Sequence, residues 1–193
     1  FYANGAVCSP TRAALQSGQY QNRFALTAHI PGHWRPFEKL VVPPIENALP
    51  AAIRTPGDAL QAAGYATGYF GKWHLGPDAT HGPDKRGYDV TARTLGKEFQ
   101  AWRKSKEPGP KRIDLLTDQT LWFIEQNRDR PFFVTLSHYA VHIRLEATPE
   151  AIEKYENKPK PSTGVNHPVY AAMIEDLDRS IGRILARLAE LGL

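Results

Sequence analysis

The chain has 193 residues, 41% hydrophobic and 23% charged, with a net charge of +4. That balance belongs to a globular chain, excludes a disordered one, and at most suits a small anionic substrate. No run of about 20 apolar residues exists, so no membrane-spanning helix is expected. The positive residues are dispersed, with no basic stripe interleaved with aromatics, so no nucleic-acid partner is expected either.

The chain opens on "FYANGAVCSPTRAALQSGQY", and Met173 is its only methionine. With no initiator or signal peptide, it reads as an internal piece of a longer protein. Cys8 is the only cysteine, so no internal disulfide can form. A lone cysteine usually packs as a small inert hydrophobe. Residues 24–52 hold several prolines and little periodicity, and are read as a long irregular excursion. Within it "HIPGHWRP" reads as a structural loop, with His33, Trp34 and Arg35 as candidate pocket residues.

Order begins at "TPGDALQAAGYATGYFGKW". Thr55 can cap a helix, Pro56 suits its first position, and Asp58 completes a capping box. Gly64 is placed to end it in a left-handed turn. "YATGYFG" then reads as a strand. The order repeats downstream. "DLLTDQTLWFIEQNRDR" is a second amphipathic helix, with Leu115, Leu121, Ile124 and their neighbours on its apolar side and Pro131 as its stop. "FFVTLSHYAV" follows as a nearly continuous apolar strand, expected to be central and covered on both faces. "KSKEPGPKR" and "ENKPKPSTGVNHP" are Pro- and Lys-rich loops. The last segment repeats apolar residues in steps of three and four, at Tyr170, Ile174, Leu177, Ile181, Ile184, Leu188 and Leu191, with Gly192 as the stop. Helix–strand–helix–strand order predicts a layered α/β domain with a mostly parallel sheet.

In open α/β sheets, ligands sit beyond the carboxyl ends of the strands. The first strand ends in "GKWHLG", with Lys72 and His74. The second ends in "SHYAVH", with His138 and His142. A cation and imidazoles at one rim make a socket for an oxyanion with acid–base groups at hand. His138 reads equally as a satisfied core histidine. Several alternatives fail on spacing. A cysteine phosphatase needs its arginine six positions after the cysteine, where this chain has Ala14. "HYAVH" has Tyr139 where a zinc-protease helix has Glu. "GYFGK" lacks the glycine spacing of a phosphate loop and continues with Trp73. A Cys–His protease survives on spacing, but leaves Pro10 and Arg12 unexplained.

One family accounts for all three segments. "AVCSPTRAALQSGQY" resembles the first signature of the sulfatases, C-x-P-x-R followed by a small-residue helix. "GYATGYFGKWHLG" resembles the second, and "PFFVTLSHYAVH" resembles the strand leading to an active-site histidine. Gln16, Ser17 and Phe70 are mild departures.

The resemblance implies an alkaline-phosphatase-like α/β/α fold, incomplete at both ends, with residues 1–193 forming part of a sulfatase catalytic domain. It implies hydrolysis of a sulfate monoester by formylglycine, an aldehyde made from Cys8 by a separate sulfatase-maturing enzyme that reads Pro10 and Arg12. The hydrated aldehyde offers two hydroxyls. One attacks sulfur, and the other loses a proton to eject sulfate. By the same resemblance Arg12 holds the modified residue, and Lys72 binds it and a sulfate oxygen. His74 accepts the diol proton, His142 binds sulfate and protonates the leaving oxygen, and His138 stays structural. The family's metal, usually calcium, would find only the converted Cys8 as a ligand, the remaining ligands lying outside this chain. The expected partners are a sulfated small molecule or glycan and the maturing enzyme. A periplasmic or secreted location follows by analogy. The competing expectations are a phosphonate or phosphate ester hydrolase of the same superfamily, and a non-catalytic remnant.

Overall fold

The computed structural model describes residues 2–33, 36–92, 112–164 and 166–193. Trp34, Arg35 and most of the "KSKEPGPKR" loop lie outside the described residues. The chain divides into two compact units, Phe1–Thr67 with Trp73–Thr94, and Gly68–Lys72 with Leu95–Leu193.

The first unit holds helix α1 (Cys8–Ser17), helix α2 (Pro56–Ala62), the short helix α3 (Asp78–His81) and strand β2 (Val90–Thr91). Residues 25–55 contain no helix or strand among those described, as their prolines predict. Arg86 fixes part of this excursion. Its buried guanidinium donates to the carbonyls of Leu49, Pro50, Ala51 and Ile53. A guanidinium presents five donors in a rigid fork, so one side chain can hold a whole turn of chain.

Helix α2 follows its sequence signals. Thr55 Oγ1 accepts from Asp58 N, and the Asp58 carboxylate accepts from Thr55 N at 2.8 Å. Two orphan amides are thereby satisfied reciprocally. Gly64 follows at φ +86 with open space around its Cα. Strand β1 (Ala66–Gly71) begins two residues later and passes from the first unit into the second.

The second unit contains helix α4 (Ile113–Gln126), strand β3 (Phe132–Ser137), helix α5 (Pro149–Glu156) and helix α6 (Pro168–Glu190). The sheet order is β2-β1-β3. Strands β1 and β3 are joined through α4, the crossover that parallel neighbours require. The fold is thus α/β, as expected.

Four local expectations need correction. Helix α4 stops at Gln126, ahead of Pro131, because Asn127 ends it. Asn127 Nδ2 donates to Phe123 O at 2.7 Å, while its Oδ1 accepts from Arg130. The buried face of α4 includes Ile124, as expected, but differs at the two leucines. It is Ile113, Leu116, Phe123 and Ile124, with Thr117 and Thr120 donating their hydroxyls to the carbonyls four residues back. Leu115 and Leu121 are only half-buried. Burying a side chain such as Phe123 contributes about 1.5–3 kcal/mol, and its ring meets Phe70 and Phe132 edge to face.

Strand β3 ends at Ser137, and all six of its residues are half-buried. β1 is the central strand of the described sheet and β3 lies at its edge, so one side of β3 pairs with no strand among the described residues. The boundaries of α6 match the sequence, but its buried stripe does not. Ile174 and Ile181 are 46% and 48% exposed, whereas Met173, Asp176 and Ser180 are buried. The side of α6 facing α4 is polar. Arg183 pairs with Asp114 and Asp118, and Arg187 with Glu125 at 2.8 Å.

Candidate active site

Cys8 is the first residue of α1. The residue before it, Val7, offers no side-chain cap to the helix amides. A helix start of this kind favours an anion nearby, because its backbone N–H groups and the helix dipole point toward it. Arg12 lies one turn further on the same helix, and residues four apart share a face. The first signature thus places a thiol, amides without a side-chain cap and a guanidinium on one short helix.

His74 is held by its neighbours in an unusual conformation. Its φ is +57, in the left-handed region that non-glycine residues seldom occupy. Two buried anchors flank it. Trp73 donates from Nε1 to His81 O at 2.6 Å and meets Tyr88 edge to face. Leu75 is fully buried, and its carbonyl accepts from Leu49 N at 3.0 Å. A strained residue persists where its surroundings over-determine it.

That conformation brings His74 to Cys8. Cys8 Sγ lies 3.1 Å from His74 Nδ1, and His74 Nε2 lies 2.8 Å from Ile30 O. A carbonyl oxygen can only accept, so Nε2 carries the hydrogen of the neutral ring. Nδ1 therefore presents a lone pair to Sγ. The imidazole is orientated to accept a proton from whatever the Cys8 side chain bears. Ile30 serves twice, since its N–H also donates to Ser9 Oγ at 3.1 Å. Through Ser9 and Ile30, α1 and the irregular excursion jointly fix the tautomer of His74. Neither residue stood out in the sequence. A backbone carbonyl leaves no side-chain signature, and Ser9 sits at a variable position of the motif.

The second unit holds the other predicted residues. Lys72 directly follows β1, and its backbone is locked three ways. Its N–H donates to Ser137 O at 2.7 Å. Its carbonyl accepts from Tyr69 Oη at 2.7 Å and Ser137 Oγ at 2.9 Å. Gly71 makes this possible. At φ +112, a Cβ there would lie 1.9 Å from Ser137 O. His142 sits in the turn after β3, exposed, with Nδ1 against its neighbour's carbonyl, Ile143 O, at 2.7 Å.

His138, expected to be structural, is hydrogen-bonded through one ring nitrogen. Thr117 Oγ1 donates to Ile113 O, so it accepts from Ser180 Oγ at 2.6 Å. Ser180 in turn accepts from His138 Nε2 at 3.1 Å. This proton order leaves His138 Nδ1 bare and buried, with no hydrogen-bond partner among the described residues. Burial pushes the His138 pKa below its ordinary value.

Calcium takes six to eight oxygen ligands. Among the described residues, no group of three or more His, Cys, Asp or Glu side chains could hold a metal ion. The described residues do not fit a calcium site on their own.

The fold is α/β, and Cys8 at the start of a helix is paired with a histidine. The sulfatase family matches residues 1–193, and the chain belongs to that family. An arylsulfatase of Hemicentrotus pulcherrimus is 29% identical over 75% of this chain and 30% of its own length. The human N-acetylgalactosamine-6-sulfatase is 28% identical over 99% of this chain and 39% of its own. The crystal structure of Ps i-CgsB superposes with a TM-score of 0.72 at 23% identity, covering 99% of this chain and 46% of that one. This chain therefore spans less than half of the length of these relatives.

Proposed function

We propose that this chain is part of a sulfatase catalytic domain that hydrolyses a sulfate monoester, with the converted Cys8 as nucleophile. The observation that carries the reading is the 3.1 Å contact between Cys8 Sγ and a His74 Nδ1 whose lone pair is fixed by Ile30. Sγ is the atom that conversion replaces by oxygen. Formylglycine, once hydrated, supplies one hydroxyl to attack sulfur and a second to release the sulfate. His74 takes up the proton released at that position. Arg12 offsets negative charge on the face of α1 that carries Cys8. Lys72, on its locked backbone, offers an ammonium to a sulfate oxygen, and His142 supplies a proton to the leaving alcohol. Calcium belongs to the reading through the family, with ligands beyond the described residues. Two curated relatives are an arylsulfatase and an N-acetylgalactosamine-6-sulfatase, which supports sulfated phenols and sulfated sugars as substrate classes.

The test is hydrolysis of a chromogenic aryl sulfate by chain produced together with a sulfatase-maturing enzyme. The phosphate ester of the same phenol is assayed in parallel. The absolute rate is expected to be low because the described residues do not fit a calcium site on their own. The deciding quantities are the preference for sulfate over phosphate and its disappearance in Cys8→Ala. Equal rates for Cys8→Ala and the parent chain overturn the proposal, and preference for the phosphate ester moves it to a phosphoryl substrate.

A further inference from the structure

The second unit carries a cavity of about 320 Å³ that shares no residue with the candidate active site. It lies between the end of α5, the loop after it and the first turns of α6. Its volume is at the lower end of small-molecule pockets, which run from about 300 to 1,000 Å³.

The lining has a definite chemistry. Lys158, Lys160 and His167 line it, and no carboxylate does so among the described residues. Two tyrosines, Tyr155 and Tyr170, add aromatic faces. Pro159, Pro161 and Pro168 make much of the apolar wall, and their fixed backbone angles hold it in shape before any ligand arrives.

The polar groups are also set in place. Lys154, held by Glu175 at 2.6 Å, lies 5.5 Å from the Tyr155 ring centroid and backs that ring. The Lys158 ammonium sits 4.9 Å from the Tyr155 ring centroid and closes no ion pair among the described residues. Lys160 bonds the last carbonyls of α5, at 2.8 Å to Glu156 O, and anchors the loop. His167 Nδ1 accepts from Tyr170 N at 3.4 Å, so in the neutral ring Nε2–H remains a donor. Asn166 adds an amide.

We propose that this cavity binds one acidic sugar residue of an oligosaccharide. The anionic group, sulfate or carboxylate, meets Lys158. The C–H face of the ring packs on Tyr170 and the prolines. Asn166 and His167 take hydroxyls. The site does not depend on conversion of Cys8 or on turnover.

The experiment is calorimetric titration of the unconverted chain with a sulfated hexasaccharide of alternating uronic acid and N-acetylhexosamine. Desulfated and carboxyl-reduced forms tell sulfate recognition from carboxylate recognition. A poly-glutamate peptide controls for charge alone. Binding is expected to weaken about tenfold in Lys158→Gln and at least fivefold in Tyr170→Ala. It should weaken with added salt and stay unchanged in Arg128→Gln, an exposed residue outside both sites. Lys158 is exposed, so its variant keeps the fold even if Tyr170→Ala does not, and far-UV circular dichroism checks both. No binding at millimolar hexasaccharide overturns the proposal. So does unchanged binding in Lys158→Gln, or equal affinity for poly-glutamate. Loss of binding in His142→Ala with Lys158→Gln unaffected would assign the sugar to the candidate active site instead.

Discussion

Gly71→Ala should be among the most damaging single-methyl changes in this chain, and its cost can be separated into two parts. The first is conformational. Gly71 sits at φ +112, where a residue with a Cβ is strained, and left-handed backbone costs roughly 1–2 kcal/mol. The second is steric. The new Cβ would fall 1.9 Å from Ser137 O and 2.6 Å from Ser137 C, both backbone atoms that no rotamer change can move aside. Overpacking of this kind costs about 1–3 kcal/mol. The sum is roughly 2–5 kcal/mol, which shifts the folding equilibrium by more than tenfold. Gly64→Ala is the internal control. Gly64 has φ +86 and nothing within 4 Å of where the new methyl would stand, so it carries the conformational part alone. Urea unfolding of both variants, read at unchanged slope, gives the difference. Gly71→Ala must also loosen the bond from Lys72 N to Ser137 O, so the Lys72 amide should lose hydrogen-exchange protection. If Gly71→Ala is no more destabilising than Gly64→Ala, the close approach of β1 and β3 at Ser137 is wrong.

Three further outcomes are expected. The lowered pKa of His138 means that the unfolded chain takes up this proton first as pH falls. Stability from neutral, buried His138 is therefore complete above about pH 6.5 and is lost on acidification below it; urea midpoints between pH 8 and 5 should show this slope, and His138→Gln should flatten it. Thr55→Ala removes the α2 cap and the bond to Arg86 O at 2.9 Å, and should cost about 1–2 kcal/mol in thermal or urea unfolding. In matured protein, His74→Ala should lower kcat for aryl sulfate by about 10²–10⁴ with the urea midpoint nearly unchanged; an unchanged kcat removes His74 from proton transfer.

What the sequence revealed depended on range. The α2 capping box was legible because Thr55, Pro56 and Asp58 act within one turn. The ends of α6 were legible for the same reason, with Pro168 at its start and Gly192 just after it. Its buried face was not. Periodicity finds a stripe of Ile174, Ile181 and other apolar residues, but cannot say which stripe meets α4. That contact is instead made by the buried Thr117–Ser180 hydroxyl pair and by Arg183 and Arg187 against carboxylates about sixty residues away. Strand β3 reads as a central strand because continuous hydrophobicity reports apolar surroundings and not neighbours. At the site, motif resemblance singled out Cys8 and His74, which are 66 residues apart in the chain. It could not show that Ile30 fixes the proton on Nε2, because that partner is a backbone oxygen.

The central claim is that Cys8 is a substrate for oxidation and not an inert thiol. Mass spectrometry of the peptide containing Cys8, from chain produced with a sulfatase-maturing enzyme, tests it most directly. Conversion removes one sulfur and two hydrogens and adds one oxygen, and the product reacts with a hydrazide. The account predicts that mass loss in the parent chain and its absence in Arg12→Ala. A fully retained thiol under conditions in which an established sulfatase is converted would contradict it.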